Sequence, residues 1–466
     1  MLLKKKLLSS IASLLVVISI VFSFSSCFES MSEPTVDPVG KEEIAENVLN
    51  AQENNIHSFD YVSDFLIEWG FPEFNREKVV WAETVFVQHL AYNGGMAIEK
   101  SEVLPRAIAL AGLYLTEYYD KTDLSKSDAV TNSIIDALVQ LSGDPYSAYR
   151  VLEDADKHKE NMSGQFGGIG VVVEYNDVDC TVMISEVAIG SPAERAGIKV
   201  GDLVYSVDGL LISEIGHRNA VYYVRGEIGT DVTLVMLRGD QLLTFVATRQ
   251  LIEDRTVGYG ITDDNLGYIQ VTSFKGNTDE QFIAAVDHLI ELGAKGFVID
   301  LRNNLGGYVQ TAVNMLSYIL PSDLPLITYD YKTSPDRVLI TSTDTNSSGV
   351  ELDSVIDMPI VILCNQYSAS ASEIFISVLN DYDELGMVNI TTVGTTTYKK
   401  GVIQSTFSYI DGATITLTTA YYYLPSGALI HGVGVTPDVV IENSETEDLQ
   451  FDRAFEELAT LVGAEK

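Results

Sequence analysis

A chain of 466 residues, at a usual size of about 150 per domain, calls for roughly three folding units rather than one core. Its 66 acidic against 29 basic residues give a formal charge of -37, which repels phosphate backbones and anionic headgroups and sets nucleic acid aside as a partner. A hydrophobic fraction of 46% with only 12 prolines excludes global disorder.

Residues 1–27 read as a targeting segment: Lys4, Lys5 and Lys6 precede an apolar run from Leu7 to Phe24, then small residues and Cys27. Phe24-Ser25-Ser26-Cys27 is similar to a bacterial lipoprotein cleavage box, in which Cys27 becomes the lipidated first residue. Plain secretion and an uncleaved anchor stay open, because the run approaches the about 18 residues that span a bilayer. All three put the bulk of the chain outside the cytoplasm, in a bacterial cell envelope, with the lipid anchor as the favoured form. Cys180 and Cys364 fall in different segments and read as buried small hydrophobes, not as a disulfide framework.

Residues 28–58 are acidic and polar with Pro34 and Pro38, the composition of a tether. Across 59–150 apolar residues recur at helical spacing, as in Ile134, Ile135, Leu138 and Leu141, until the turn Gly143-Asp144-Pro145. This is a helical N-terminal domain, and such an arm is a surface on which two copies can pair into a homo-oligomer.

Residues 164–255 change character: β-branched runs such as Val171-Val172-Val173 and Val232-Thr233-Leu234-Val235 surround one short helix at Pro192 to Ala196. The strings "GGIGVVV", "GSPAERAGIKVGDLVYSVDG" and "RGEIGTDVTLVMLR" resemble a PDZ domain over nearly its whole length. The resemblance implies a groove between the strand after Gly168 and a helix near Asn219 to Arg225, where a peptide's C-terminal end adds as a strand. Backbone N–H groups of Gly167, Gly168, Ile169 and Gly170 would hold its carboxylate, with Arg225 as a cationic contact. Taken alone, the glycines make a tight turn and Arg225 closes a surface helix.

In residues 256–466 strands and helices alternate: Tyr268 to Val271, a helix from Thr278 to Leu292, Phe297 to Leu301, and a helix from Tyr308 to Leu320. A polar stretch from Thr333 to Asp357 breaks the pattern. Ile360 to Leu363 then reads as a buried strand feeding another helix, and a site is expected where the strands end.

"CNQYSASASEIFISVLNDY" sets serines between that strand and its helix, where a hydroxyl is exposed beside the free N–H groups of a first helical turn. Ser368, Ser370 and Ser372 all qualify by position; helix capping by Ser368 or Ser372, with Glu373 completing the first turn, is the structural alternative. A serine needs a base. His431 is the one well-placed histidine, and "TTTYKKGVIQ" offers a lysine. Strand alternation puts Lys400, Val402 and Gln404 on one face and Lys399 on the other, which selects Lys400. Burial against apolar neighbours would lower its pKa from about 10.4 toward neutrality.

"SASASEI", "YKKGVIQ", "DGATITLTTAYYYLPSG" and "HGVGVTPD" together resemble the catalytic core of the C-terminal processing peptidases. That resemblance implies a multidomain α+β chain, with a helical N-terminal domain, a PDZ-like β domain and a crotonase-like α/β catalytic core. It implies Ser370 as nucleophile, Lys400 as general base and Gln404 as the residue that orients the lysine. It also makes "DLRNNLGG" at 300–307 the oxyanion-hole segment, with Gly306 or Gly307 complementing the Ala371 N–H. The sequence departs from the family at Lys399, where glycine is usual, at Leu305, where proline is usual, and in a segment about five residues longer before Lys400, at Asp383 to Ile390. Asp300 and Arg302 read as a structural ion pair.

There is no HExxH and no paired cysteine spacing, so neither a metal nor another cofactor is expected. The expected function is an exported serine endopeptidase that cleaves proteins near free C-terminal tails through an acyl-enzyme. The alternative is a catalytically weak or inactive envelope adaptor that only holds peptide tails.

Overall fold

The structure is a computed structural model that describes residues 75–89, 107, 128–140, 142–331, 336–343, 358–444 and 446–464. The targeting segment with Cys27, the tether and much of the helical stretch lie outside the described residues. No helix among the described residues is long and apolar enough to cross a membrane.

Helix α1 (Arg76–His89) packs on α2 (Asp128–Gln140), whose apolar residues follow the 3.6 period and bury Val130, Ile134, Ile135 and Leu138. Val79, Ala82, Val85 and Phe86 meet them from α1, and the same cluster includes Ile415 and Leu417 from a strand far along the chain. The helices therefore share a core with the C-terminal region. Strand β1 (Ala148–Arg150) and helix α3 (Leu152–Ser163) lead onward to Gly164, which closes α3 with a φ of 74°.

Strand β2 (Gln165–Gly168) precedes β3 (Val171–Asn176), β4 (Thr181–Val187), helix α4 (Pro192–Ala196), β5 (Leu203–Val207), helix α5 (Ala220–Val224), β6 (Asp231–Arg238), β7 (Gln241–Thr248) and β8 (Gln250–Glu253). The sheet runs β3-β4-β5-β6-β7, all antiparallel, while β2 pairs with β8. Alternate residues Val232, Leu234 and Met236 of β6 point into a core of their own with Ile169, Ile184 and Val207. Cys180 is exposed at the β3–β4 turn, contrary to its reading as a buried hydrophobe. Its thiol reaches only the Asp177 carbonyl of the same turn, at 3.7 Å.

The remaining elements are β9 (Val257–Ile261), β10 (Gly267–Val271), α6 (Thr278–Glu291), β11 (Phe297–Asp300), α7 (Val309–Ile319), β12 (Pro325–Tyr331), β13 (Val338–Thr341), β14 (Ile360–Cys364), α8 (Ala371–Glu384), β15 (Ile390–Gly394), β16 (Val402–Ser408), β17 (Thr414–Tyr423), β18 (Val439–Val440) and α9 (Leu449–Ala464). One sheet has the order β9-β10-β11-β14-β15-β18, parallel except for β9. Phe297, Ile299, Ile360 and Ile362 face α6, α7 and α8, whereas Val298, Val361 and Leu363 face Ala454 and Leu458 of α9. Cover on both faces is why these strands read as unbroken apolar runs. A second sheet runs β1-β17-β12-β13, with β16 pairing β17 as a hairpin. Val338 to Thr341 belongs to it, so part of the stretch read as a polar interruption is strand.

The candidate active site

The carboxyl ends of β10, β11, β14 and β15 release their loops on one side of the parallel sheet, and the candidate residues lie on those loops. Between β14 and α8 the chain reverses sharply at Ser370, which takes φ 56° and ψ -112° and is 7% exposed. This is a sparsely populated conformation for a residue with a side chain, characteristic of a nucleophile held at a strand-to-helix turn. The neighbouring serines hold the turn together: the Ser368 hydroxyl donates to the Leu301 carbonyl at 2.8 Å and that of Ser372 to the Asn304 carbonyl at 2.9 Å.

Glu373, fully buried, joins this turn to the lysine. One carboxylate oxygen accepts the Ser370 N–H at 2.9 Å and the Lys400 N–H at 2.8 Å; the other accepts the Lys399 N–H at 2.7 Å and the Thr397 hydroxyl at 2.6 Å. A single side chain thereby fixes the backbone of Ser370 against that of Lys400. Burial pushes the Lys400 ammonium below its ordinary value, against the opposing pull of Asp144 and Glu373.

Two expectations about this lysine change. Lys400 precedes β16 and is not part of it, and the register shifts between Ile403 and Gln404, so simple alternation does not describe the segment. The Gln404 amide donates to the Thr418 hydroxyl at 3.3 Å. Lys399 adopts φ 83°, a left-handed conformation that explains why glycine suits this position.

The loop after β11 closes against Ser370 through glycine. A methyl group on Gly306 would lie 2.6 Å from the Ala369 carbonyl oxygen and 3.0 Å from the Ala371 nitrogen. The Gly306 N–H is taken by the Asn304 side-chain oxygen at 2.9 Å, whereas the Gly307 N–H has no acceptor among the described residues. Of the two glycines, Gly307 keeps a donor available for an oxyanion. Ala371 is the first residue of α8, where an N–H has no intrahelical acceptor. Asp300 and Arg302 pair at 2.7 Å, with Arg302 also on Asp448 at 2.6 Å, as a structural link.

His431 stands nearby: its Nδ1 accepts the Gly401 N–H at 3.3 Å, its ring lies 5.5 Å from that of Tyr421, and burial lowers its pKa against Asp144 and Glu373. The turn from Asp144 to Ser147, read above only as the end of a helix, also reaches the site. The Lys400 Nζ lies over the Tyr146 ring, 4.7 Å from its centroid. The sequence carries no local signal for this contact, since it depends on β1 pairing with β17. Among the described residues no group of three or more His, Cys, Asp or Glu could hold a metal ion.

In the antiparallel domain, Gly168, Ile169, Gly170 and Arg225 line a cavity of about 270 Å³ between β3 and α5, walled by apolar residues such as Val171, Ile184 and Val224. Gly167 lies outside that lining, since its missing side chain makes room for the Gly226 carbonyl, 1.9 Å from where a Cβ would stand. The Arg225 guanidinium stacks on Phe166 at 3.8 Å, and its buried Nε has no hydrogen-bond partner among the described residues.

Two family models match this chain: Peptidase family S41 over residues 265–441 and PDZ domain over 183–238. A curated relative, the carboxy-terminal processing protease CtpA of Bacillus subtilis (strain 168), is 34% identical over 72% of this chain and 68% of its own length. A probable CtpA-like serine protease of Staphylococcus aureus (strain N315) is also 34% identical, over 72% of this chain and 64% of its own. The chain thus spans just under two thirds of the staphylococcal relative. The solved photosystem II D1 C-terminal processing protease is 23% identical, covering 79% of this chain and 94% of that one, at a TM-score of 0.44. The family models and the Bacillus subtilis relative define the class: a serine-type peptidase carrying a PDZ domain. The chain belongs to peptidase family S41.

Proposed function

We propose that this chain is an exported endopeptidase that cleaves proteins near free C-terminal tails by acyl-enzyme catalysis, with Ser370 as nucleophile and Lys400 as base. The observation that carries it is Glu373, which binds the Ser370 and Lys400 N–H groups through one oxygen while burial keeps the lysine easier to deprotonate. Neutral Lys400 takes the Ser370 proton as the hydroxyl attacks the scissile carbonyl. The Ala371 and Gly307 N–H groups receive the oxyanion, a contribution of about 3 kcal/mol per donor. The lysine returns the proton to the leaving amine, and water repeats the sequence to free the acyl group. Gln404 is assigned the role of orienting the lysine, its own amide held by the Thr418 hydroxyl across the β16–β17 hairpin.

The cavity between β3 and α5 would take an apolar C-terminal side chain, with Arg225 near the carboxylate. An envelope location with Cys27 as lipid anchor is part of this reading and rests on the targeting pattern of residues 1–27. The name of the Bacillus subtilis relative, a carboxy-terminal processing protease, agrees with this reading. Its test is cleavage of an unfolded protein with an apolar tail by the parent chain and by Ser370→Ala, Lys400→Ala and His431→Ala. Loss of several orders of magnitude in the first two and retention in the third is expected. Lasting activity in Lys400→Ala with loss in His431→Ala would transfer the base to His431, and tail binding without cleavage by the parent would make the chain an adaptor.

A further inference from the structure

The segment from Ser142 to Ser147 is built more firmly than a connection needs to be. Asp144, 7% exposed, accepts the Tyr146 N–H on one oxygen at 3.1 Å and the Ser147 hydroxyl on the other at 2.5 Å. The Asp144 N–H itself donates to the Ser142 hydroxyl at 3.0 Å. The Ser147 hydroxyl in turn accepts the Thr418 N–H of β17 at 3.2 Å, and the next residue, Ala148, pairs with Thr416. Pro145 stiffens the turn from within. The result is a ring whose backbone is fixed on both sides, standing with Lys400 Nζ 4.7 Å from its centroid.

An aromatic face at that distance attracts a cation by its quadrupole and also excludes water from it. Both actions fall on the group the reaction uses, and the ring comes from a segment the chain supplies long before the catalytic sheet. We propose that Tyr146 is a positioning residue for the general base, its ring fixing where Lys400 Nζ stands, so that the helical region completes the active site. The inference rests on the Ser370 and Lys400 reading.

The two actions of the ring separate by substitution. The charged and titratable groups around Lys400 are Asp144 of the same turn, Glu373 of α8, the adjacent Lys399, His431 of the following loop, and Tyr422, whose hydroxyl donates to the Lys400 carbonyl at 3.2 Å. The Tyr146 N–H that Asp144 accepts belongs to the backbone and is kept by every substitution at Tyr146. Leucine keeps the apolar volume and loses the attraction for the cation, so Lys400 gives up its proton more readily. Alanine admits water, so Lys400 holds its proton more firmly.

The experiment compares the full chain with Tyr146→Phe, Tyr146→Leu and Tyr146→Ala from about pH 6 to about pH 10, a range reaching toward the ordinary lysine value. Tyr146→Leu is expected to lower kcat about tenfold with KM unchanged and to move the acidic limb of kcat/KM to lower pH. Tyr146→Ala moves that limb to higher pH, and Tyr146→Phe restores kcat to within about threefold of the parent. An acidic limb that stays in place in both Leu and Ala variants, with kcat following Tm, would overturn the proposal, as would a Phe variant as slow as Leu. Titration of Lys400 Nζ by NMR in lysine-labelled chain reads the same opposite shifts without turnover. An inactive parent would therefore sink the peptidase reading alone, whereas an unmoved titration would sink the role of Tyr146.

Discussion

The two carboxylate oxygens of Glu373 accept four hydrogen bonds, three from backbone N–H groups and one from the Thr397 hydroxyl. Glutamine has the same shape and one acceptor oxygen fewer. Its NH2 group would face at least one N–H donor in a fully buried position, at about 1–3 kcal/mol for each buried donor left unpaired. Glu373→Gln is therefore expected to lower Tm and to cut kcat/KM about a hundredfold or more, measured by thermal unfolding and by turnover. Lys400 should behave in the opposite sense for stability. Its folded pKa lies below the unfolded one because burial disfavours the charge. The folded chain is therefore penalised in full at pH values below the folded pKa, and the penalty fades as pH rises toward the unfolded value of about 10.4. Lys400→Met removes the penalty, so at neutral pH it should raise Tm while abolishing cleavage. A lower Tm would show that the lysine is held by interactions stronger than its desolvation.

At the scale of elements, the nucleophile and oxyanion side of the site is the meeting of two loops, one after β11 and one between β14 and α8. Gly306 sets their separation: a methyl group there would meet the Ala369 carbonyl oxygen at 2.6 Å, and its φ of 95° is strained for any residue with a side chain. Gly306→Ala is expected to push the Gly307 N–H away from Ala371 and lower kcat by about a hundredfold or more, with KM little changed. The strands that carry these loops were legible because both their faces are buried, as in Ile360–Cys364, where all five residues are hidden. Val338–Thr341 was not, since its residues are exposed or half-buried and its pairing with β12 is a distant event. Lys400 was legible as a residue but not in its geometry. The alternation argument assumed a regular strand, and the chain instead enters β16 late and bulges after Ile403.

Across the whole molecule, two regions outside the parallel sheet bear on the site. The helical region shares a core with β17 and sends Tyr146 to Lys400, which no local pattern in the sequence announces. The antiparallel domain has a core of its own, and its glycine-bounded strands were readable in the sequence down to the groove beside Arg225. If that groove delivers tails, Arg225→Ala should raise KM for an unfolded protein ending in an apolar tail by about tenfold, the loss of one charge-assisted contact. Cleavage of a short peptide that does not fill the groove should be unchanged; an equal loss on both substrates would make Arg225 a structural residue.

The central claim, covalent catalysis by Ser370, is tested most directly by rapid acid quench of the full chain with an unfolded, tailed protein, followed by mass analysis of its fragments. The account predicts a transient acyl adduct on the fragment containing Ser370, absent from Ser370→Ala and from Lys400→Ala. Cleavage at the parent rate with no adduct at any time, or an adduct carried by another residue, would contradict it.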